Sequence, residues 1–104
     1  MKKDEHLVVS CILDDKIKIL YSSALLNLGA TGFTFIDEEF VRRHSLPLYK
    51  LKEPRGLKVI DGRPSQAGKV THVTKLKLTI GGHTEELPLF VTKLGHYPIV
   101  LGKP

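Results

Sequence analysis

The histidines and the single cysteine are the first side chains to consider for chemistry. No two histidines stand four residues apart on a helical segment, the spacing with which one helix supplies two zinc ligands; they are His6, His44, His72, His83 and His96. Cys11 is the only cysteine, so an internal disulfide or a cysteine-based zinc site is excluded. We therefore expect no metal and no cofactor, and we expect an intracellular, cytoplasmic setting.

The acidic and serine pairs have simple explanations outside catalysis. Asp14-Asp15 lies between two apolar segments, where acidic residues are typical of a hairpin turn. Asp37 precedes Glu38 and Glu39, an arrangement that favours the start of a helix. Ser22-Ser23 has neither a neighbouring base nor the strained turn that a serine nucleophile needs. Hydrolysis by serine is therefore not expected.

One stretch resembles a catalytic loop. Residues 24–32 are Ala-Leu-Leu-Asn-Leu-Gly-Ala-Thr-Gly. They resemble the active-site loop of the retropepsins, half-size aspartic proteases of retroviruses and gypsy-type retrotransposons, in which two aliphatic residues lead into Asp-Ser/Thr-Gly-Ala. Asn27 stands where that family has its catalytic Asp, and Leu28 stands where it has Ser or Thr. The rest of the loop is retained, as Gly29, Ala30 and Thr31.

The resemblance extends over nearly the whole chain. Residues 29–37, Gly-Ala-Thr-Gly-Phe-Thr-Phe-Ile-Asp, are similar to retrotransposon members from fungi, and Ile99–Gly102 resembles the apolar run and glycine that pack beside the active-site loop. The resemblance implies a substrate-binding flap within residues 57–70, whose central residues are Val59, Ile60, Asp61, Gly62 and Arg63. The chain is thus identified as similar to the protease domain of a gypsy-type, fungal-like retrotransposon or of a retroelement-derived gene.

This resemblance implies an aspartic endopeptidase of a retroelement polyprotein, assembled from two subunits that each supply one Asp. With Asn27 in that position we predict a catalytically inactive pseudoenzyme. Leu28 lacks the hydroxyl that the family uses to reach its partner's loop. The family also continues beyond the equivalent of Pro104 into a final interface strand. We therefore expect a weak homodimer or a monomer that binds extended peptide segments of a polyprotein.

The elements that must position this loop are mostly short strands. Leu7–Leu13 and Lys16–Tyr21 flank Asp14-Asp15 as an opening hairpin, and Lys16–Ile19 alternates polar and apolar residues as a half-buried strand does. Leu25 and Leu26 enter the loop, and Phe33–Phe35 leaves it as a strand.

A helix of about two turns is predicted after Asp37. A second hairpin is predicted around Gly81-Gly82, because apolar residues alternate in phase on both sides of it. With the resemblance, these elements predict an all-β fold, a closed, mostly antiparallel retropepsin-like acid protease barrel with one short helix and a flap hairpin. Residues 1–104 are expected to form one domain.

The net charge of +5 raises the question of a nucleic-acid partner. The basic residues are scattered from Lys2 to Lys103, no five of them are contiguous, and aromatic residues do not interleave with them. We expect no nucleic-acid partner and no membrane partner. Two alternatives to a protease stay open, a peptide-binding or dimerisation module that has lost chemistry and a basic nucleic-acid-associated domain. Binding of extended peptides would favour the first, and salt-dependent binding of RNA would favour the second.

Overall fold

Seven strands and one helix make up the described part of the chain. The computed structural model describes residues 7–31, 33–55 and 70–103, with the backbone alone for 27–31, 53–55 and 103. In chain order the elements are β1 (Leu7–Asp14), β2 (Ile19–Thr31), β3 (Thr34–Asp37), α1 (Glu38–Arg43), β4 (Tyr49–Arg55), β5 (Val70–Ile80), β6 (His83–Thr92) and β7 (Ile99–Lys103). The helix α1 has six residues, and no helix in the described ranges is long and apolar enough to cross a membrane.

Six of the strands close into a barrel. Their order is β1-β2-β7-β3-β6-β5, and a pairing between β5 and β1 completes the ring. The fourth strand, β4, lies outside the ring and pairs with β5. The pairings β2–β7 and β3–β6 are parallel, and the other five are antiparallel. The expected all-β, closed and mostly antiparallel barrel with one short helix is therefore confirmed for the described residues.

Two apolar clusters hold the barrel together, one inside it and one on its outer face. Alternate residues of each strand point inward, and the interior cluster includes Leu13, Ala24, Ile36, Leu76 and Leu89 among its buried members. Leu25, Phe35 and Val100 are the buried members of the outer cluster. The strands β2, β7 and β3 are thus apolar on both faces where they meet.

The helix α1 begins and ends as its sequence predicts. Asp37 is the N-cap, and its Oδ2 accepts a hydrogen bond from the backbone N–H of Glu39 at 3.2 Å. Acidic residues occupy the first turn and Arg42 and Arg43 the last, where each charge complements the helix dipole. Val41 is 2% exposed and joins the interior cluster. The helix therefore closes one side of the barrel.

Three sequence expectations differ from the structure. Residues 16–18 are a turn, and β2 begins at Ile19, so the strand predicted from Lys16 was wrong at its start. The alternating Ile17 and Ile19 are 87% and 56% exposed, because odd-numbered residues of this hairpin arm point away from the interior. The strand β4 was not predicted. Finally, β2 does not stop at the loop but continues to Thr31 with a break in its register.

Candidate functional site

The backbone at Asn27 is positioned by two strands that are buried on both faces. On β2, Ala24 and Leu25 are 0% and 6% exposed, and the first belongs to the interior cluster while the second belongs to the outer one. The parallel strand β7 presents Ile99 and Val100 to them, exposed by 0% and 3%. Burial on both faces leaves this strand pair little freedom to shift, so the residue that follows is held in place.

Asn27 pairs with Gly102 at the end of this ladder. The register runs from Ala24–Ile99 to Asn27–Gly102 without a break. The backbone N–H of Gly102 also donates a hydrogen bond to the carbonyl oxygen of Phe33 at 2.9 Å. Gly102 therefore lies between the segment entering the loop and the segment leaving it. This is the neighbourhood expected from the sequence, where the aliphatic-glycine segment packs beside Asn27.

The loop residues leave the ladder directly after Asn27. The next β2–β7 pair joins Thr31 to Lys103, so four steps along β2 correspond to one step along β7. Leu28, Gly29 and Ala30 are the three residues without a counterpart on β7. Such an excess on one strand makes the chain bulge away from its neighbour. The predicted loop is thus a three-residue excursion within β2 rather than a gap between two strands.

A cavity of about 380 Å³ opens beside this ladder at the end of the barrel. One side of the cavity is lined by residues of β2 and β7, namely Leu26, Leu101 and Gly102. Its other side is lined by aliphatic residues of the β5–β6 hairpin, namely Leu78, Ile80 and Leu87. At its rim His83 Nε2 lies 3.5 Å from Glu85 Oε1, with both side chains more than half exposed. The cavity is suited to an apolar side chain. Among its described lining residues, the titratable side chains are His83 and Glu85, and both are exposed.

Aromatic rings support the other face of the same strands. The rings of Phe33 and Phe90 meet edge to face with centroids 5.5 Å apart, and Phe35 lies within 6.4 Å of both centroids. Leu94 and Tyr97 pack against the same outer cluster. Sequence reasoning did not find this cluster. The alternation of Phe33 and Phe35 indicated an aromatic face at the start of β3, but the ring that packs against them, Phe90, lies on β6, which is distant in sequence.

The predicted flap lies in a connection of which only the ends are described. Arg55 at the end of β4 pairs with Val70 at the start of β5 in an antiparallel register. Residues 56–69 join these two ends and lie outside the described residues. The predicted flap residues Val59, Ile60, Asp61, Gly62 and Arg63 all belong to that connection, so their placement relative to Asn27 stays a prediction.

The other polar candidates do not assemble into a site. Within residues 7–31, 33–55 and 70–103, no three His, Cys, Asp or Glu side chains group as a metal site requires. Cys11 is 3% exposed, and burial raises the pKa of its thiol, which makes it a poor nucleophile. His72 Nδ1 hydrogen-bonds Thr71 Oγ1 at 2.9 Å on the surface. The turn lies where the sequence predicted it, with Asp14 as the last residue of β1 and Asp15 as the first residue of the turn.

Comparison with known protein families agrees with this geometry. A protein-family model described as the PEG10/RTL1 protease domain matches residues 23–104 of this chain. The matched range begins one residue before Ala24 and includes Asn27, the helix, the β4–β5 hairpin and β7. It covers more than three quarters of the chain. The chain belongs to the PEG10/RTL1 protease domain family, and it is a retroelement-derived, retropepsin-like domain.

Proposed function

We propose that this chain is the aspartic endopeptidase domain of a gypsy-type retroelement polyprotein, or of a gene derived from one, and that it is inactive with its present residues. The observation that carries the proposal is the position of Asn27. It follows the buried Leu25 and the partly buried Leu26, precedes Gly29-Ala30-Thr31, and pairs with Gly102 of the aliphatic-glycine strand. In retropepsins this position holds the catalytic Asp.

The missing carboxyl group at position 27 explains why we expect no peptide hydrolysis. In the family, two Asp carboxyls from two subunits share one proton, because two like charges at such close range cannot both ionise. One carboxylate takes a proton from the attacking water while its protonated partner polarises the peptide carbonyl. Asn27 has an amide, which accepts no proton near neutral pH. A dimer of this chain would therefore lack both the base and the acid.

Binding of peptide does not require those groups. The packed ladder at Asn27 and the apolar cavity beside it are features that a non-catalytic domain can use to hold a polyprotein segment in extended form. We therefore infer a retained peptide-binding role, with dimerisation as an alternative use of the same loop. A cytoplasmic location fits the buried, unpaired Cys11.

Rescue of cleavage tests the proposal. Asn27→Asp is expected to restore paired carboxyls and to give peptide cleavage with an acidic pH optimum, because the active pair must hold one proton. Leu28→Thr alone supplies no base and serves as the matched control without cleavage. The double variant is expected to exceed Asn27→Asp, because it also restores a hydroxyl that joins the two subunits. The assay is cleavage of an unstructured peptide library between mildly acidic and neutral pH.

Two results would contradict the proposal. Cleavage by the unmodified chain at the rate of Asn27→Asp would show that position 27 is not catalytic. Absence of cleavage by a double variant that sedimentation shows to be a dimer would mean that the domain no longer presents a working substrate groove. A single general acid or base accelerates a reaction roughly 10²–10⁴-fold. Cleavage by the Asn27→Asp variant should therefore be clearly faster than any cleavage by the unmodified chain.

A further inference from the structure

The positive charge of the chain is concentrated in residues 49–75, the part of the β4–β5 hairpin that ends in the middle of β5. Residues 49–75 contain seven lysines and arginines and two acidic residues, a balance of +5 that equals the net charge of all 104 residues. The rest of the chain contains nine basic and nine acidic residues and is neutral. Basic residues are therefore spread along the whole sequence. Most acidic residues lie outside this hairpin, so the positive charge is balanced elsewhere but not within it.

Three described lysines of this hairpin present their charge to solvent. Lys50 and Lys52 on β4 and Lys75 on β5 are exposed, and none of the three forms an ion pair with another described residue. Lys50 and Lys52 are two residues apart on β4 and are both exposed, and the register of β4 with β5 shifts beyond Lys50. The Nζ of Lys75 lies 5.2 Å from the ring centroid of Tyr49, which places a positive charge beside the strand as well.

The strand β4 also offers an edge for main-chain hydrogen bonds. It lies outside the closed ring and, among the described strands, pairs with β5 alone. Its other edge can accept an extended peptide by strand addition, in which main-chain pairing supplies affinity and alternate side chains supply specificity. Pro54 has no N–H to donate, so the edge available for pairing lies between Tyr49 and Pro54, a stretch in which the register with β5 shifts after Lys50.

We propose that the edge of β4 binds acidic, extended peptide segments by strand addition. Carboxylates at alternate positions of the added strand would lie beside Lys50 and Lys52. The same lysines disfavour addition of a second copy of this chain, because like charges would then face each other. The inference rests on the proposed function only in taking an extended peptide as the ligand, and it requires neither catalysis nor a dimer.

A nucleic acid would be attracted by the same charge, but the hairpin lacks a surface on which bases could stack. Tyr49 is the only Phe, Tyr or Trp in residues 49–75. Lys75 lies over its ring. Proteins that bind single strands generally present several aromatic side chains to successive bases. The edge of β4 therefore favours a peptide.

Binding of three labelled peptides to the unmodified chain tests the proposal by fluorescence anisotropy. The first peptide alternates Glu and Val, the second has Gln in place of Glu, and the third is the Glu peptide with alternate amides N-methylated to block main-chain pairing. We expect the Glu peptide to bind about tenfold more tightly than either of the others. Its affinity should fall as salt is raised, because the lysines are solvent-exposed.

Two double variants with the same change in net charge locate the site. Lys50→Gln/Lys52→Gln is expected to weaken binding of the Glu peptide about tenfold, whereas Arg43→Gln/Lys93→Gln, exposed positions outside the hairpin, should change it less than about twofold. Equal losses in both variants would overturn the proposal in favour of diffuse attraction. All four substitutions are on the surface, and NMR amide spectra of both variants will show that they fold.

The remaining outcomes separate this proposal from the proposed function. Equal binding of the Glu and Gln peptides would overturn the acidic preference and leave peptide binding intact. Equal binding of the N-methylated peptide would overturn strand addition. Tighter binding of an oligouridine than of the Glu peptide would identify the hairpin as a nucleic-acid surface. Failure of the Asn27→Asp/Leu28→Thr variant to cleave peptides would contradict the proposed function and would leave peptide binding at the edge of β4 unaffected.

Discussion

At the scale of single residues, Asp15 shows how one carboxylate shapes the first hairpin. Its Oδ1 accepts hydrogen bonds from the backbone N–H groups of Ile17 and Lys18, both at 2.8 Å. Its Oδ2 lies 3.1 Å from the Nζ of Lys18. The preceding Asp14 accepts a similar bond from Lys16, whose φ of 78° is in the left-handed region. These bonds favour the turn that sets the register of β1 and β2.

The turn gives stability a dependence on pH. Partial burial raises the pKa of Asp15. The hydrogen bonds from Lys18 and Ile17 and the charge of Lys18 lower the pKa by a larger amount, so the folded-state pKa lies below the ordinary 3.8. The contribution to stability is therefore complete above pH 3.8 and is lost as the pH falls through the folded-state value. We expect Asp15→Asn to unfold at lower urea concentration than the unmodified chain at pH 7.

The difference between the two proteins should shrink as the pH falls from 3.8 through the folded-state pKa of Asp15, below which both side chains are neutral. Glu86→Gln, on the exposed face of β6, is the matched control and should show little change at pH 7. Urea midpoints measured from acidic to neutral pH provide the check. A difference that stayed constant across this range would contradict the assignment of the effect to the Asp15 carboxylate.

At the scale of elements, Asp37 joins the helix to the segment before β7. One carboxylate oxygen caps α1, and the other accepts a hydrogen bond from the backbone N–H of Leu94 at 2.9 Å. The backbone N–H of Asp37 donates to the carbonyl oxygen of Pro98 at 2.8 Å. Because Leu94 and Pro98 flank the segment that leads into β7, Asp37 helps to place the strand that pairs with Asn27.

Removal of this carboxylate should destabilise the domain. Asp37→Ala loses the helix cap and leaves the N–H of Leu94 without its acceptor, and we expect a loss of about 2 kcal/mol in the free energy of unfolding. Asp37→Asn keeps an oxygen for capping and should lose less. The exposed Glu38→Ala is the control, with an expected change of at most about 0.5 kcal/mol. Urea denaturation measures all three, and an equal loss for Asp37→Ala and Glu38→Ala would refute the linking role.

At the scale of the whole molecule, the loop geometry bears on association. In retropepsins the hydroxyl after the catalytic Asp bonds to the partner's loop across the dimer. Leu28 has no such group, and each partner atom left without its bond costs about 1–3 kcal/mol when buried. A symmetric dimer would contain two such positions. We therefore expect the unmodified chain to be a monomer or a dimer that dissociates in the micromolar range.

Sedimentation velocity over a range of concentrations tests this expectation. Leu28→Thr should shift the equilibrium toward dimer, because it restores the hydroxyl in both subunits. Leu48→Thr changes a leucine that is 53% exposed and outside the loop, and it should leave association unchanged. A dimer of the unmodified chain that persisted at nanomolar concentration would show that other contacts dominate the interface.

The sequence by itself determined most elements of this protein and the identity of the candidate site. Alternating apolar residues around Gly81-Gly82 predicted β5 and β6, and Asp37 with its acidic and basic neighbours predicted α1. These signals are local, since turn chemistry and helix capping depend on residues within one or two turns of each other. The motif around Asn27 is also contiguous, and together with the Ile99–Gly102 segment and the order of the elements it indicated the family.

Only the tertiary structure decided which elements meet. Asn27 pairs with Gly102 across 75 residues of sequence, and Phe35 packs on Phe90, because the chain brings β7 and β6 beside β2 and β3 in parallel. Periodicity cannot specify a strand's partner or its exposed face, which is why Ile17 and Ile19 were expected on a buried face and are exposed. It also missed β4, whose alternation of lysine with apolar residues is interrupted by Glu53-Pro54. Closure of the barrel fixed the partners and the inward faces of its six strands, because a single register satisfies all its ladders at once, whereas β4 is placed by its pairing with β5.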